Sequence, residues 1–291
     1  MDISMRKMSV FSKTTEKIRN LVYFYKYMQA FKKIRDAKVL YSEIQYRENL
    51  GFFFNGKNSM ELGNFEPEET EIIENLMNSF DVFINIGANF GYYVCKALSN
   101  DLETLAFEPH QFNVNVMLNN IYSNNFGSDF YIFPVALGSS SGILPMYGAS
   151  TGASLIKGWA GQENSSLVPI TTFDDSAAHL IEGKNCLILI DIEGAELECL
   201  KGAKSLLSSD SQNVFLIEIS TTEHQPSGVS VNPNLLRTFT YMSDFGYMAY
   251  TADKNLRKIE IDEVKEIAAS LNNTLGTNNF LFVKDENYLP N

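Results

Sequence analysis

Strand-like and helix-like segments alternate along this 291-residue chain, which predicts an α/β fold with a doubly wound, mostly parallel sheet. Three observations carry the prediction. Short apolar runs at 82–86, 186–190 and 214–219 are continuous, as expected of strands buried on both faces. Segments of helical character separate them at the spacing of crossover connections. The first run passes directly into Gly87-Ala-Asn-Phe-Gly91 and then into a helical stretch from Tyr92. A strand, a glycine turn and a helix N-terminus together receive nucleotide-like or anionic ligands.

The elements follow in order. Residues 5–48 predict a helix in which Ile18, Leu21, Val22, Tyr25, Met28 and Phe31 interleave with Lys and Arg. Residues 1–57 carry 12 Lys and Arg against 5 Asp and Glu, whereas the remainder carries 11 against 30, giving the net charge of −12. The basic stripe, with Tyr23-Phe-Tyr-Lys-Tyr27, suits an anionic membrane surface or a partner protein. It suits equally well packing on its own domain or on the second subunit of a homodimer. The expected organisation is a basic, mainly helical extension over 1–58 and a main domain over 59–291.

Residues 51–64 read as a short strand or hairpin turning at Asn55-Gly56, and Glu66-Pro67-Glu-Glu-Thr opens a helix to about 79. After the strand at 82–86 come a helix from Tyr92, a strand at 104–107, a helix at 110–122 and a strand at 130–135. Residues 138–170 break the rhythm. They are rich in Gly and Ser, hold the single tryptophan, Trp159, and suggest a hairpin insertion, a lid or a sugar-stacking platform. A helix at 174–182, the strand ending at Asp191, a helix at 195–207 and the strand at 214–219 follow. A polar loop through His224, a helix at 233–245 and strands near 247–250 and 280–283 complete the pattern.

Composition narrows the function. At 45% hydrophobic residues, with no apolar run of 18, the chain can build a large core but offers no membrane span. The first residues lack the apolar stretch of a secretory signal. The three cysteines, Cys95, Cys186 and Cys199, sit in apolar segments without metal-ligand spacing, as in a reduced cytoplasmic protein. The basic arm leaves open a peripheral place at the inner membrane face. The acidic body repels a phosphate backbone, which weighs against nucleic acid.

In open α/β sheets, ligands bind outside the carboxyl ends of the strands. The residues there are Gly87 to Gly91, Glu108 and Pro109, Ala136, Asp191 and Glu193, and Glu218. The loop is G-x-x-x-G, with Asn89 where a dinucleotide fold places its second glycine. A ligand without a diphosphate suits it better, so a nicotinamide-dependent oxidoreductase is the weaker alternative. Glu108, 21 residues beyond Gly87, can accept hydrogen bonds from two ribose hydroxyls, and the pair favours an adenosine ligand. Asp191 and Glu193, two apart on an extended segment, are expected to point the same way. Asp191 then faces a sulfonium or its amino-acid tail, and Glu193 takes a proton from a hydroxyl. The segment also reads as a helix N-cap, with Glu193 and Glu196 interacting with the helix dipole. His110 and His224 are further candidates for proton transfer, with His110 equally placed to cap a helix.

Several motifs recur together: Ile86-Gly-Ala-Asn-Phe-Gly-Tyr-Tyr93, Ala106-Phe-Glu-Pro109 with Asn113 and Asn119-Asn120, Val135-Ala136-Leu137, Pro169-Ile-Thr-Thr-Phe-Asp-Asp175, and Ile190-Asp-Ile-Glu-Gly-Ala-Glu196 with Gly202-Ala203. Over about residues 60–220 the chain thereby resembles the FkbM family of S-adenosylmethionine-dependent methyltransferases. The resemblance implies the seven-stranded, class I Rossmann-like sheet. It also implies that Asn85, Gly87, Ala88, Asn89, Gly91 and Tyr92 surround the methionine end of S-adenosylmethionine. Glu108 would hold the ribose with Pro109 beside it, Ala136 would lie near the adenine, and Asp191 near the methyl-bearing sulfur. Two positions depart from the family pattern: Asn85 stands where an aspartate is usual, and Leu189 where a lysine is frequent. Asn85 supplies no negative charge to the cofactor's ammonium.

The expected activity is O-methyl transfer from S-adenosylmethionine to a hydroxyl of a sugar, glycan or glycolipid precursor. Asp191, Glu193 and Glu218, in that order, are the candidate bases. The same three acids leave Mg²⁺ open without assigning it. The alternative is a non-catalytic, cofactor-binding scaffold of a glycan-assembly complex.

Overall fold

The computed structural model describes residues 38–148 and 150–290. The chain divides into two compact units, residues 1–43 and 44–291. Residues 38–41 of the first are helical, and the basic stripe of residues 5–37, with its membrane or partner contact, lies outside the described residues. The expected helix to 48 ends at 41, because residues 45–47 join a hairpin instead.

That hairpin opens the second unit: β1 (Gln45–Arg47) pairs antiparallel with β2 (Phe52–Phe54). The turn lies between them, and Asn55-Gly56 follows it rather than forming it. Phe52 and Phe54 are buried and Phe53 is exposed, the alternation of a strand with one face on the core. The hairpin belongs to the second unit, residues 44–291.

A helical turn, α1 (Asn58–Glu61), and α2 (Pro67–Met77) lead to β3 (Val82–Ile86), α3 (Tyr92–Ser99), β4 (Glu103–Phe107), α4 (Gln111–Tyr122) and β5 (Phe130–Phe133). Then β6 (Ala136–Leu137), β7 (Gly142–Tyr147) and β8 (Ser165–Thr171) form a separate sheet in the order β6-β8-β7, its β7–β8 hairpin being the insertion. The chain continues through α5 (Phe173–Ser176), β9 (Cys186–Ile190), α6 (Glu196–Lys201), α7 (Lys204–Ser208) and β10 (Asn213–Glu218). It finishes with α8 (Leu235–Asp244), β11 (Met248–Thr251), β12 (Lys258–Ile259), α9 (Ile261–Ser270) and β13 (Asn279–Val283).

The main sheet runs β12-β11-β13-β10-β9-β3-β4-β5. Strands β5, β4, β3, β9 and β10 are parallel, and β13 is antiparallel to both its neighbours. Eight strands replace the expected seven because the two-residue β12 pairs with the edge of β11. Every residue of β3 and of β9 is buried, as their continuous apolar sequences require. From β3 the chain winds outward through β4 to β5, and from β9 outward to β10, so the switch of direction lies between β3 and β9.

Two expected helices are shorter than their sequence patterns. Residues 195–207 break into α6 and α7 at Gly202, where a Cβ would lie 2.0 Å from the Gly138 carbonyl oxygen. The backbone there is pressed onto the turn after β6 and leaves no room for a regular helix carrying side chains. Residues 174–182 form only α5 and a 3₁₀ turn at Ala178–Leu180. No helix among the described residues is long and apolar enough to cross a membrane.

Asn120, fully buried on α4, ties the hairpin to the glycine loop. Its amide donates to the carbonyls of Asn55 and Phe90, each at 2.9 Å, and its oxygen accepts from the Asn55 amide at 2.9 Å. Removing it takes a hydrogen-bond partner from three buried backbone groups. Asn120→Ala is expected to lower the unfolding free energy by about 3 kcal/mol in urea denaturation. A loss below about 1 kcal/mol would contradict that role.

Candidate active site

The carboxyl ends of β3 and β9 converge at the switch point. The Asp191 amide donates to the Ile86 carbonyl at 3.0 Å, and Gly87 turns away with φ of +90°. A Cβ on Gly87 would stand 1.8 Å from the Asp191 carbonyl oxygen, so only glycine fits. The amides of Gly87 and Ala88 both donate to the Phe107 carbonyl, Gly91 donates to Ala88, and Asn89 donates to Glu108. These four amides face protein and are not offered to an anion. That is a second reason, beside Asn89 itself, against a pyrophosphate ligand.

Glu108, at the end of β4, is 4% exposed. Its two oxygens accept the amides of His110 and Asn89, each at 2.8 Å, and the Asn113 side chain adds a further donor. Burial nevertheless pushes its pKa up to about 7. His110 occupies the cap position before α4, and its side chain makes no capping hydrogen bond. Glu108 lines a cleft enclosing about 580 Å³ that opens to solvent. Pro109, Val135, Ala136 and Leu137 form one side, and Met146, Ala153 and Leu155 of the insertion form an apolar wall. Glu108 opposite this apolar wall, with Asp191 and Glu193 at the end toward β9, matches a flat ring system joined to a hydroxyl-bearing sugar.

A second cleft of about 440 Å³ lies across Gly87, sharing Gly87, Asn89 and Asp191 with the first. Asn85 and Leu189 line it and are register neighbours on β3 and β9. The two departures from the family pattern are thus one cross-strand pair. An acid–lysine pair and an Asn–Leu pair carry the same net charge, so changing both strands no buried charge. Tyr92 also lines this cleft.

Asp191 and Glu218 stand carboxyl to carboxyl there, one oxygen of each within 4.8 Å of the other. Glu218 is driven far above the usual carboxylate range, first by the negative charge of Asp191 and then by burial. Asp191 also rises, through burial and then the charge of Glu193. Glu66, ahead of α2, joins them: one oxygen from each of Glu66, Asp191 and Glu218 lies within 4.8 Å of the others. Tyr93 Oη donates to Glu66 at 3.0 Å, and burial pushes Glu66 up to about 8. Among the described residues this is the group of acids whose oxygens can meet on one cation, with Glu66 in the place expected for Glu193.

Glu193 is turned away because the strand ends at Ile190 and Glu193 is left-handed, with φ of +57°. The expectation that it points with Asp191 fails for that reason. Its carboxylate accepts Trp159 Nε1 at 2.7 Å and stands 3.7 Å from His224 Nδ1. Ser154 Oγ donates to the Glu193 carbonyl at 2.5 Å, and the Ala160 amide donates to the His224 carbonyl at 2.7 Å. Trp159 is 2% exposed with its ring over Gly194, so it staples the insertion to the end of β9 and is no stacking platform. Glu196, buried at the start of α6, accepts the Gly194 amide at 2.7 Å and is pushed up to about 8 by burial.

Two oxygens lining these clefts, Asn89 Oδ1 and Asp191 Oδ1, are buried without a hydrogen-bond partner among the described residues. They suit a ligand that brings donors.

A doubly wound sheet in this order, with a glycine turn after β3, an acid after β4 and an acid after β9, defines a methyltransferase of the class I, Rossmann-like type. Residues 85–248, more than half of the chain, match the Methyltransferase FkbM domain, and the chain belongs to that family. Among solved structures it is similar to an O-methyltransferase family protein from Burkholderia thailandensis, at 10% identity and TM-score 0.35 over 77% of this chain and 56% of that one. It is also similar to magnesium protoporphyrin IX methyltransferase from Synechocystis PCC 6803 with bound S-adenosylmethionine, at 7% identity and TM-score 0.39 over 87% and 91%. A third, a methyltransferase from Leishmania major, has 12% identity and TM-score 0.39 over 78% and 76%. The chain therefore spans little more than half the length of the first of these. No curated protein matches it by sequence.

The raised acids set the pH response of the ligand-free protein. An acid that holds its proton more tightly when folded adds stability below its unfolded pKa and loses it as pH climbs through the folded value. For Glu108, Glu196 and Glu66 that window runs from the ordinary 4.5 up to about 8. The denaturation midpoint is expected to fall steadily from pH 5 to pH 8, and more gently in Glu196→Gln. A midpoint that rises over this window would contradict the assignment.

Proposed function

We propose that this protein is an S-adenosylmethionine-dependent O-methyltransferase whose acceptor is a hydroxyl of a sugar, glycan or glycolipid precursor. The observation that carries the reading is the placement of Glu108 and Asp191 on either side of the Gly87 turn, each facing a cleft whose walls suit one part of that cofactor. Bound S-adenosylmethionine supplies a methyl group on a sulfonium, which an acceptor oxygen displaces in line. Everything else falls to the protein. Glu108 keeps free lone pairs for ribose hydroxyls, Ala136 and Leu137 bound the adenine side, and Asp191 presents an unpartnered oxygen where the clefts join.

A hydroxyl acceptor needs a proton acceptor beside it. Asp191 and Glu218 are crowded against each other and Glu66 in the second cleft. Glu193 is the better base: Trp159 fixes its orientation, it lines the first cleft, and the half-exposed His224 stands beside it. Positioning contributes the larger part of the rate in such a displacement. The three buried, free cysteines support a reducing, cytoplasmic setting. The basic segment supports peripheral contact with an anionic membrane or a partner. A non-catalytic scaffold draws less support once Asn85 and Leu189 are seen as one neutral pair.

Isothermal titration with S-adenosylmethionine should give a saturable heat, and Glu108→Ala should weaken it at least about tenfold. With labelled cofactor and cell-surface glycan fractions, label should appear in a product stable to mild alkali, and Glu193→Gln should slow it about a hundredfold. No heat at millimolar cofactor would sink the reading. Cofactor binding without any labelled acceptor would favour the scaffold.

A further inference from the structure

Glu66, Asp191 and Glu218 crowd the second cleft, one oxygen of each within 4.8 Å of the others. Lys57 acts on Glu66 and Asp191 only as a weaker, offsetting charge, and His224 acts in the same way on Asp191. Like charges this close favour any cation that comes between them. Acids alone do not define a ligand, but Asn85 adds an independent constraint. Its side chain is 2% exposed, lines the same cleft and makes no hydrogen bond within the described protein. Its amide is therefore open to a ligand in the cleft. Asp191 Oδ1 is unpartnered in the same place.

The cleft thus calls for a cation that also donates hydrogen bonds in several directions. A primary ammonium, with three N–H donors on one charge, has that chemistry. Its position agrees. The two clefts join at Gly87, Asn89 and Asp191, so a ligand whose adenosine lies against Glu108 and whose chain passes Asp191 ends in the second cleft.

We propose that Glu66 and Glu218, with Asn85, form the subsite for the α-ammonium of S-adenosylmethionine, Glu66 supplying from outside the sheet the charge that position 85 lacks. The proposal rests on the cofactor reading above. Glu66 is built for the task. It sits in a left-handed conformation, φ +43°, immediately before α2, and Tyr93 Oη holds its carboxylate toward the cleft. Its raised pKa falls back when a cation arrives, so a proton leaves as the ammonium binds.

Isothermal titration with two nucleosides separates the subsite from the rest of the cofactor. S-adenosylhomocysteine carries the ammonium, and 5′-methylthioadenosine lacks the whole amino-acid end. Glu66→Gln is expected to weaken S-adenosylhomocysteine about tenfold or more while changing 5′-methylthioadenosine less than about twofold, and Glu218→Gln to do the same. Retained binding of 5′-methylthioadenosine shows that each variant is folded. An equal loss for both nucleosides, or no loss for either, overturns the subsite and leaves the cofactor reading intact. Wild-type protein that binds neither overturns the cofactor reading and the subsite with it. Micromolar binding of Mn²⁺ to the nucleoside-free protein, seen by electron paramagnetic resonance and lost in Glu66→Gln, would assign the acids to a divalent ion and overturn the proposal.

Discussion

The site is organised by one contact: the backbone of Gly87 lies against the carbonyl of Asp191, with no room for a Cβ between them. Two neighbouring parallel strands release their chains in opposite directions there, and the loops must diverge without side chains in the way. The contact also divides the crevice. On one side Glu108 faces apolar walls, and on the other Glu66, Asp191 and Glu218 face one another. A side chain at 87 would force the strand ends apart and merge or close both clefts.

Burial of acids is the second constraint. Glu108, Glu196, Glu66 and the Asp191–Glu218 pair all hold protons more tightly than carboxyls in water, through desolvation and mutual repulsion. Backbone amides partly compensate Glu108 and Glu196, whereas in the second cleft burial and mutual repulsion outweigh the offsetting charges of Lys57 and His224. The fold tolerates that arrangement at a cost in stability, as is common where side chains are held for a ligand rather than for the core.

The insertion after β6 completes the first cleft. Trp159, Ser154 and Ala160 fasten it to Glu193 and to the His224 loop, so its apolar residues Met146, Ala153 and Leu155 stay against the cleft. Three polar contacts from a segment with little core of its own are enough to hold a wall, since the small cluster around Met146, Val168 and Ile170 supports it from behind. The same fastening takes the indole out of solvent and fixes the orientation of Glu193.

What the sequence determined by itself was local in origin. Continuous apolar runs placed β3, β9 and β10, and the residue types at their carboxyl ends picked out Gly87, Glu108 and Asp191, because strand period and the crossover rule act over short stretches. Tertiary structure decided the rest. The pairing of Asn85 with Leu189 depends on register between strands that are distant in the chain, and the arrival of Glu66 at Asp191 depends on how α2 is docked. The turning of Glu193 follows from a left-handed residue beyond the strand's end, and the burial of Trp159 from where the insertion folds back. Direction of a side chain past a strand end, and contacts between distant segments, are set by backbone geometry and packing. Neither leaves a periodic trace in the residues themselves.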